Sequence, residues 1–93
     1  MPQKNERTSR PTKLKLVVVT PTRIELEQEV DYVVAPTVKG MIGILPGHIR
    51  LMTVLDTGVL RYRVNGESFY MAVSEGYMEV TPEKVVILAE FMP

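Results

Sequence analysis

Apolar side chains recur in this chain at every second position, in short runs that turn residues interrupt roughly every 8 to 12 residues. A β-strand points successive side chains to opposite faces, so alternation of this kind builds a sheet with one dry and one wet side. A helix needs apolar residues three and four apart instead. No amphipathic helix longer than a turn or two is legible. In "KLKLVVV", Leu14, Leu16 and Val18 share one face while Lys13 and Lys15 take the other. In "RIELEQEVDYVVAP", Ile24 and Leu26 alternate with Arg23, Glu25 and Glu27, and the run continues to a stop at Pro36. Its length suits two short strands better than one.

The sharpest local signal is "LRYRVNGESFYMAV". Leu60, Tyr62 and Val64 alternate with Arg61 and Arg63, then Asn65-Gly66 supplies two residues that accept positive φ, and a second β-rich run follows. This predicts a hairpin closed by a two-residue type I′ turn. Glu75-Gly76 and "TPEK" punctuate the runs "YMEV" and "KVVILAE", giving about ten short strands in all. With 93 residues there is room for one domain and one modest core. The expected fold is therefore all-β, two packed antiparallel sheets.

Composition narrows the function. At 45% hydrophobic and 24% charged the chain has the make-up of a folding globular domain. No apolar run reaches the roughly 18 residues of a membrane span, and "MPQKNERTSRPT" lacks the apolar stretch of a signal peptide, which gives a soluble, cytoplasmic-side chain as the expectation. With no cysteine there are no disulfides or thiolate metal sites. Residues 1–13 carry Lys4, Arg7, Arg10 and Lys13 against Glu6, leaving a mildly acidic body. That body lacks the basic field nucleic acid requires. Residues 1–12 are expected to be a flexible basic leader, 13–90 the β-domain and 91–93 a short tail.

Candidate chemistry is sparse. "VLDTGVL" contains Asp56-Thr57-Gly58, the tripeptide with which dimeric aspartic proteases present a carboxylate, and such a site needs two copies meeting across a two-fold axis. Here Val59 and Leu60 stand where the small residue and the bracing Asp or Ser belong. A turn explains the same residues: Asp accepts a backbone N–H two residues on and Gly tolerates positive φ. His48 has no nucleophile motif to serve, because Ser68 and Ser74 sit inside strand-like runs without a sharp glycine elbow. Gly40, Gly43 and Gly47 lack the Lys-Ser/Thr ending and following helix of a phosphate loop. One His and scattered carboxylates form no metal-ligand spacing. Of Met41, Met52, Met71 and Met78 most are expected in the core, with Met41 outside. An oligonucleotide-binding barrel would have to use Arg61 and Arg63 with Tyr62, Phe69 and Tyr70, yet alternation sets Tyr62 opposite both arginines.

The stretch "GMIGILPGHIRLMTVLDTGVLRYR", with "KLKLVVVTPTRIELEQEVDYVVAP" before it and "VSEGYMEVTPEKVVILAE" after it, resembles the epsilon subunit of F-type ATP synthases over Lys13 to Ala89. The resemblance implies a ten-stranded antiparallel β-sandwich of two five-stranded sheets, on the central stalk between the gamma subunit and the membrane c-ring. It implies a non-catalytic part of a proton-driven enzyme, peripheral to the cytoplasmic face of a bacterial plasma membrane or the equivalent organelle face. Under it His48, Ile49, Arg50, Met52 and Thr53 are gamma-facing candidates, and Val38, Lys39, Met41 and Ile42 are c-ring-facing ones. Met41 stands where the family often has an acid, and Ile49-Arg50 where it often has Ala-Pro. The family usually continues after the position of Ala89 into a two-helix C-terminal domain. A chain stopping at Pro93, whether a short form or an excised domain, is expected to lack that hairpin and to bind no nucleotide, cofactor or nucleic acid.

Overall fold

The computed structural model describes residues 12–91, so of the leader only Thr12 and of the tail only Phe91 fall within it. Nine strands and no helix occur among these residues: β1 (Leu14–Val19), β2 (Ile24–Val30), β3 (Tyr32–Thr37), β4 (Gly40–Ile44), β5 (Leu51–Leu55), β6 (Gly58–Val64), β7 (Glu67–Val73), β8 (Gly76–Thr81) and β9 (Lys84–Ala89). Their order is β2-β1-β9-β8-β5-β3-β6-β7, with β4 on the other edge of β3.

The ladder between β5 and β3 is a single rung, Thr37 opposite Leu55. On either side of it lie two nearly independent halves, β2-β1-β9-β8-β5 and β4-β3-β6-β7. Five strands and four therefore replace the expected five and five. Between Ile44 and Leu51 the chain makes no strand: the Pro46-Gly47 turn, with Gly47 at φ 85°, breaks the run. Nor is the sheet wholly antiparallel, because β1 and β9 run parallel, Lys15 beside Lys84 through to Val19 beside Leu88. The first and last strands meet without a direct connection, so no hairpin dictates their sense.

One core joins the halves. Leu14, Leu16 and Val18 of β1 and Val85, Ile87 and Ala89 of β9 are buried in one cluster with Val33 and Ala35 of β3, Ile44 of β4 and Leu60 and Tyr62 of β6. Each fully hidden Leu, Ile or Val contributes about 1.5–3 kcal/mol to holding the layers together. The β6–β7 hairpin forms as the sequence predicts: Asn65 (φ 49°) and Gly66 (φ 86°) are both in the left-handed region, and Val64 faces Glu67. Pro36 does not end its strand. β3 continues through it, pairing Pro36 with Met41 and Thr37 with Gly40.

Candidate functional site

The outer face of the five-stranded half follows from register. In β5 the side chains of Met52 and Val54 point away from the core, in β8 Tyr77 and Glu79, in β9 Val86 and Leu88, and in β1 Val17 and Val19. The pairs Val54–Tyr77, Tyr77–Leu88, Leu88–Val19 and Val19–Ile24 lie side by side, so one apolar row crosses all five strands. Four of its members are open to solvent: Val54 at 42%, Tyr77 at 55%, Leu88 at 43% and Ile24 at 58%. Met52, 62% exposed, extends the row along β5. Scattered surface apolar residues mean little, but a continuous band of them marks a face built to be covered. At the Val54 end the band opens into a trench whose walls include Val38, Asp56, Glu75, Tyr77, Glu90 and Phe91.

The candidate residues divide around this face. Met52 belongs to it. His48, Ile49 and Arg50 form the approach to β5, with Ile49, at 77%, the most exposed large apolar residue among those described. That approach is held from both sides. The Gly47 N–H donates to the Pro82 carbonyl at 2.8 Å, and the His48 N–H to the Leu45 carbonyl at 3.1 Å. The His48 ring donates from Nδ1 to the Ile49 carbonyl at 2.7 Å, which leaves Nε2 available to a neighbour. Thr53 faces the opposite way to Met52 and is half-buried, under the sheet rather than on it.

The second candidate set sits at the other end of β4, in the β3–β4 turn. Thr37 Oγ1 donates to the Gly40 carbonyl at 2.7 Å and accepts the Lys39 N–H at 3.1 Å, so the turn is braced. Gly40, at φ 108°, completes it. Val38, Lys39 and Met41 are exposed there, whereas Ile42 packs against the core and offers little to a partner. The length of β4, five residues or about 16 Å, separates that turn from the His48–Arg50 approach, whereas β5 runs alongside it, the Val38 N–H donating to the Val54 carbonyl at 3.1 Å.

Asp56 is the corner of a connection. Its carboxylate accepts the N–H of Thr57, one residue on rather than two, at 2.9 Å, and its own N–H donates to the Pro36 carbonyl at 3.0 Å. Gly58 is favoured for a different reason from the one the sequence suggests. Its φ is ordinary, but a Cβ there would lie 3.0 Å from the Pro36 side chain. No group of three or more metal-ligating side chains converges among the described residues. The methionines also divide: Met78 is buried and Met71 packs against the core, while Met41 and Met52 are both outside. Tyr62 turns inward and stacks on Phe69 at 5.5 Å, which removes it from any basic groove.

The band itself was missed in the sequence, although a signal existed. In "KVVILAE" both alternating sets are apolar, as in a strand covered on each side. Among the described residues only one of those covers is present.

The family described as ATP synthase, Delta/Epsilon chain, beta-sandwich domain matches residues 13–92. The ATP synthase epsilon chain of Carboxydothermus hydrogenoformans is 54% identical over 77 residues, covering 83% of this chain and 58% of that protein. That of Herpetosiphon aurantiacus is 51% identical, over 83% of this chain and 57% of the relative. This chain therefore spans a little under three-fifths of the length of those relatives. Among solved structures, a chain of the Euglena gracilis mitochondrial ATP synthase, in a cryo-EM structure of OSCP, F1 and c-ring, superimposes with a TM-score of 0.85 at 20% identity, covering 100% of this chain and 67% of that one. A chain of the Tetrahymena thermophila central stalk and c-ring gives 0.72 at 17%, over 91% and 69%. At those identities the superpositions speak for the fold, and the sequence matches speak for descent. The chain belongs to the delta/epsilon β-sandwich family of ATP synthases.

Proposed function

We propose that this chain is a non-catalytic rotor component of an F-type ATP synthase, a rigid piece that keeps the gamma subunit and the c-ring in fixed relation while torque passes during proton-driven ATP synthesis. The observation that carries the reading is the apolar band across β5, β8, β9, β1 and β2 on an otherwise soluble sandwich. A subunit that turns with its neighbours needs permanent adhesion on one side and a body that does not yield. The band supplies the first, and a close-packed two-layer interior supplies the second, since such interiors transmit strain rather than absorb it.

On this reading the band, with Met52 and the approach His48–Arg50, meets gamma, and Thr53 braces β5 from beneath. The β3–β4 turn, with Val38, Lys39 and Met41, meets the polar loops of the c-ring, and Ile42 anchors that turn to the core. Met41 brings no charge to this contact, so it rests on apolar area and Lys39 rather than on an acid–base pair. The site of action is the periphery of an energy-transducing membrane: the cytoplasmic face in a bacterium, or the equivalent face of an organelle. The chain's own chemistry needs neither cofactor nor nucleotide.

The deciding experiment is capture by an immobilised gamma subunit, comparing the wild-type chain with His48→Glu/Met52→Glu and with Tyr77→Glu. A carboxylate placed in a desolvated apolar contact weakens it by about 2 kcal/mol or more, so at least a tenfold loss is expected from each. Undiminished capture by both variants would remove the band as the gamma surface.

A further inference from the structure

The other outer face, on the four-stranded half, has opposite chemistry. Here β3 and β6 place Tyr32 beside Arg63 and Val34 beside Arg61, and β6 and β7 place Arg61 beside Tyr70 and Arg63 beside Ser68. Both guanidinium groups gather on one ring: Arg61 Cζ lies 5.7 Å and Arg63 Cζ 5.3 Å from the centre of Tyr32. The ion pairs among the described residues are Lys13–Asp31, Lys15–Glu27 and Arg23–Glu25, and none engages either arginine. Arg63 Nε is buried and finds no acceptor among the described residues. The two arginines, two residues and about 6.7 Å apart along the strand backbone, are thus both part-buried and gathered on one aromatic ring, and no ion pair among the described residues neutralises them.

We propose that the Arg61–Tyr32–Arg63 face, rimmed by Tyr70, is a docking surface for an acidic protein segment that presents two carboxylates at matching spacing. Tyr70 at the rim is 67% exposed, and a small free anion on such a face gains too few contacts to stay. A chain carrying carboxylates at alternate strand positions meets both arginine forks at once. Stacking on Tyr32 has already restricted the guanidinium groups and stripped part of their water, so little ordering remains for the partner to impose. Tyrosine and arginine are also the side chains that dominate protein–protein contacts. This surface lies on the half of the molecule away from the apolar band and does not depend on the assignment of gamma.

The test is a heteronuclear NMR titration of the full chain, at low salt, with a synthetic peptide of alternating threonine and glutamate. A peptide with lysine in place of glutamate and vesicles of phosphatidylglycerol run alongside. The expected result is saturable shifts of amides in β3, β6 and β7 with the acidic peptide alone. Those shifts should fall at least tenfold in affinity in Arg61→Gln/Arg63→Gln, and measurably in Arg61→Lys/Arg63→Lys, because lysine keeps the charge and loses the planar fork. Tyr70→Glu leaves both arginines in place and sets a carboxylate beside Arg61, so it should block the peptide in a chain whose other amides are unmoved. The proposal is overturned by unshifted amides on this face, by shifts that survive the glutamine variant, or by equal binding of the lysine variant. Vesicles that bind through these arginines where the peptide does not would assign the face to a membrane instead.

Discussion

The two halves of the sandwich share one core and differ on their outer faces. Inside, Leu16 and Ile87 of the five-stranded half and Leu60 of the four-stranded half are equally buried and chemically interchangeable. Outside, one half carries Val54, Tyr77, Leu88 and Ile24, and the other Tyr32, Arg61, Arg63 and Tyr70. The alternation that builds the fold constrains only every second residue, so the remaining positions are free to specify partners. Two faces with different chemistry are thus held at fixed geometry on one core.

That comparison makes Gly76 the most tightly confined of the glycines. It faces Ala89 across β8 and β9, beneath the apolar band, and a Cβ built on it falls 1.9 Å from the Leu88 carbonyl oxygen and 3.0 Å from Ala89 Cα. Backbone cannot yield as a side-chain tip can. Gly76→Ala should cost about 4 kcal/mol or more, measured by urea unfolding, and should disturb the five-stranded half first. Gly43, on β4 of the other half, has no atom within 4 Å of the same construction, so Gly43→Ala should leave stability within about 0.5 kcal/mol. Equal losses at the two glycines would erase the asymmetry between the halves.

Next in size is the core. If it is one body, Leu16→Ala and Leu60→Ala should each cost about 3 kcal/mol and leave a single cooperative unfolding transition, although one lies in each half. Two transitions, or a loss confined to one half by hydrogen exchange, would mean that the halves are separate folding units joined only at Thr37 and Leu55.

Much of this was legible beforehand, for local reasons. The Asn65-Gly66 turn, the inward set Leu14, Leu16 and Val18, and the split of residues 24–37 into two strands are all decided by neighbours in the chain, where period and turn chemistry act directly. The resemblance to epsilon subunits carried the family. What stayed hidden is what register decides. The parallel contact of β1 with β9 joins the ends of the sequence, and the row from Val54 to Ile24 exists only once four separate pairings are fixed. Tyr32 lies 29 and 31 positions from the arginines it receives, so no local pattern pairs them, whereas alternation alone already set Tyr62 on the opposite face, where its ring turns inward. Gly58 and Gly76 read as turn formers, and their use is to allow close approach of Pro36 and Leu88.

The smallest effect concerns the latch between the halves at the end remote from the Thr37–Leu55 rung. Asp31, in the link from β2 to β3, pairs with Lys13 just ahead of β1 and accepts the Gly66 N–H of the β6–β7 hairpin at 3.1 Å, so one carboxylate ties both halves together. The hydrogen bond from Lys13, and after it that from Gly66, holds the Asp31 carboxyl below the usual aspartate range. A group whose value is lowered by folding adds stability above its unfolded value, near pH 4, and loses it as pH falls through the folded value. Stability of the wild-type chain should therefore decline below about pH 4, and Asp31→Asn should flatten that decline while lowering stability at pH 7. The two proteins should converge under strongly acidic conditions, with a shallow slope persisting in the variant because Lys15 depresses Glu27 in the same sense. The pair is partly exposed, so salt should shrink the difference. Urea midpoints at pH 7 and pH 3, each at low and high salt, measure it, and parallel pH profiles for the two proteins would show that this carboxylate does not hold the halves together.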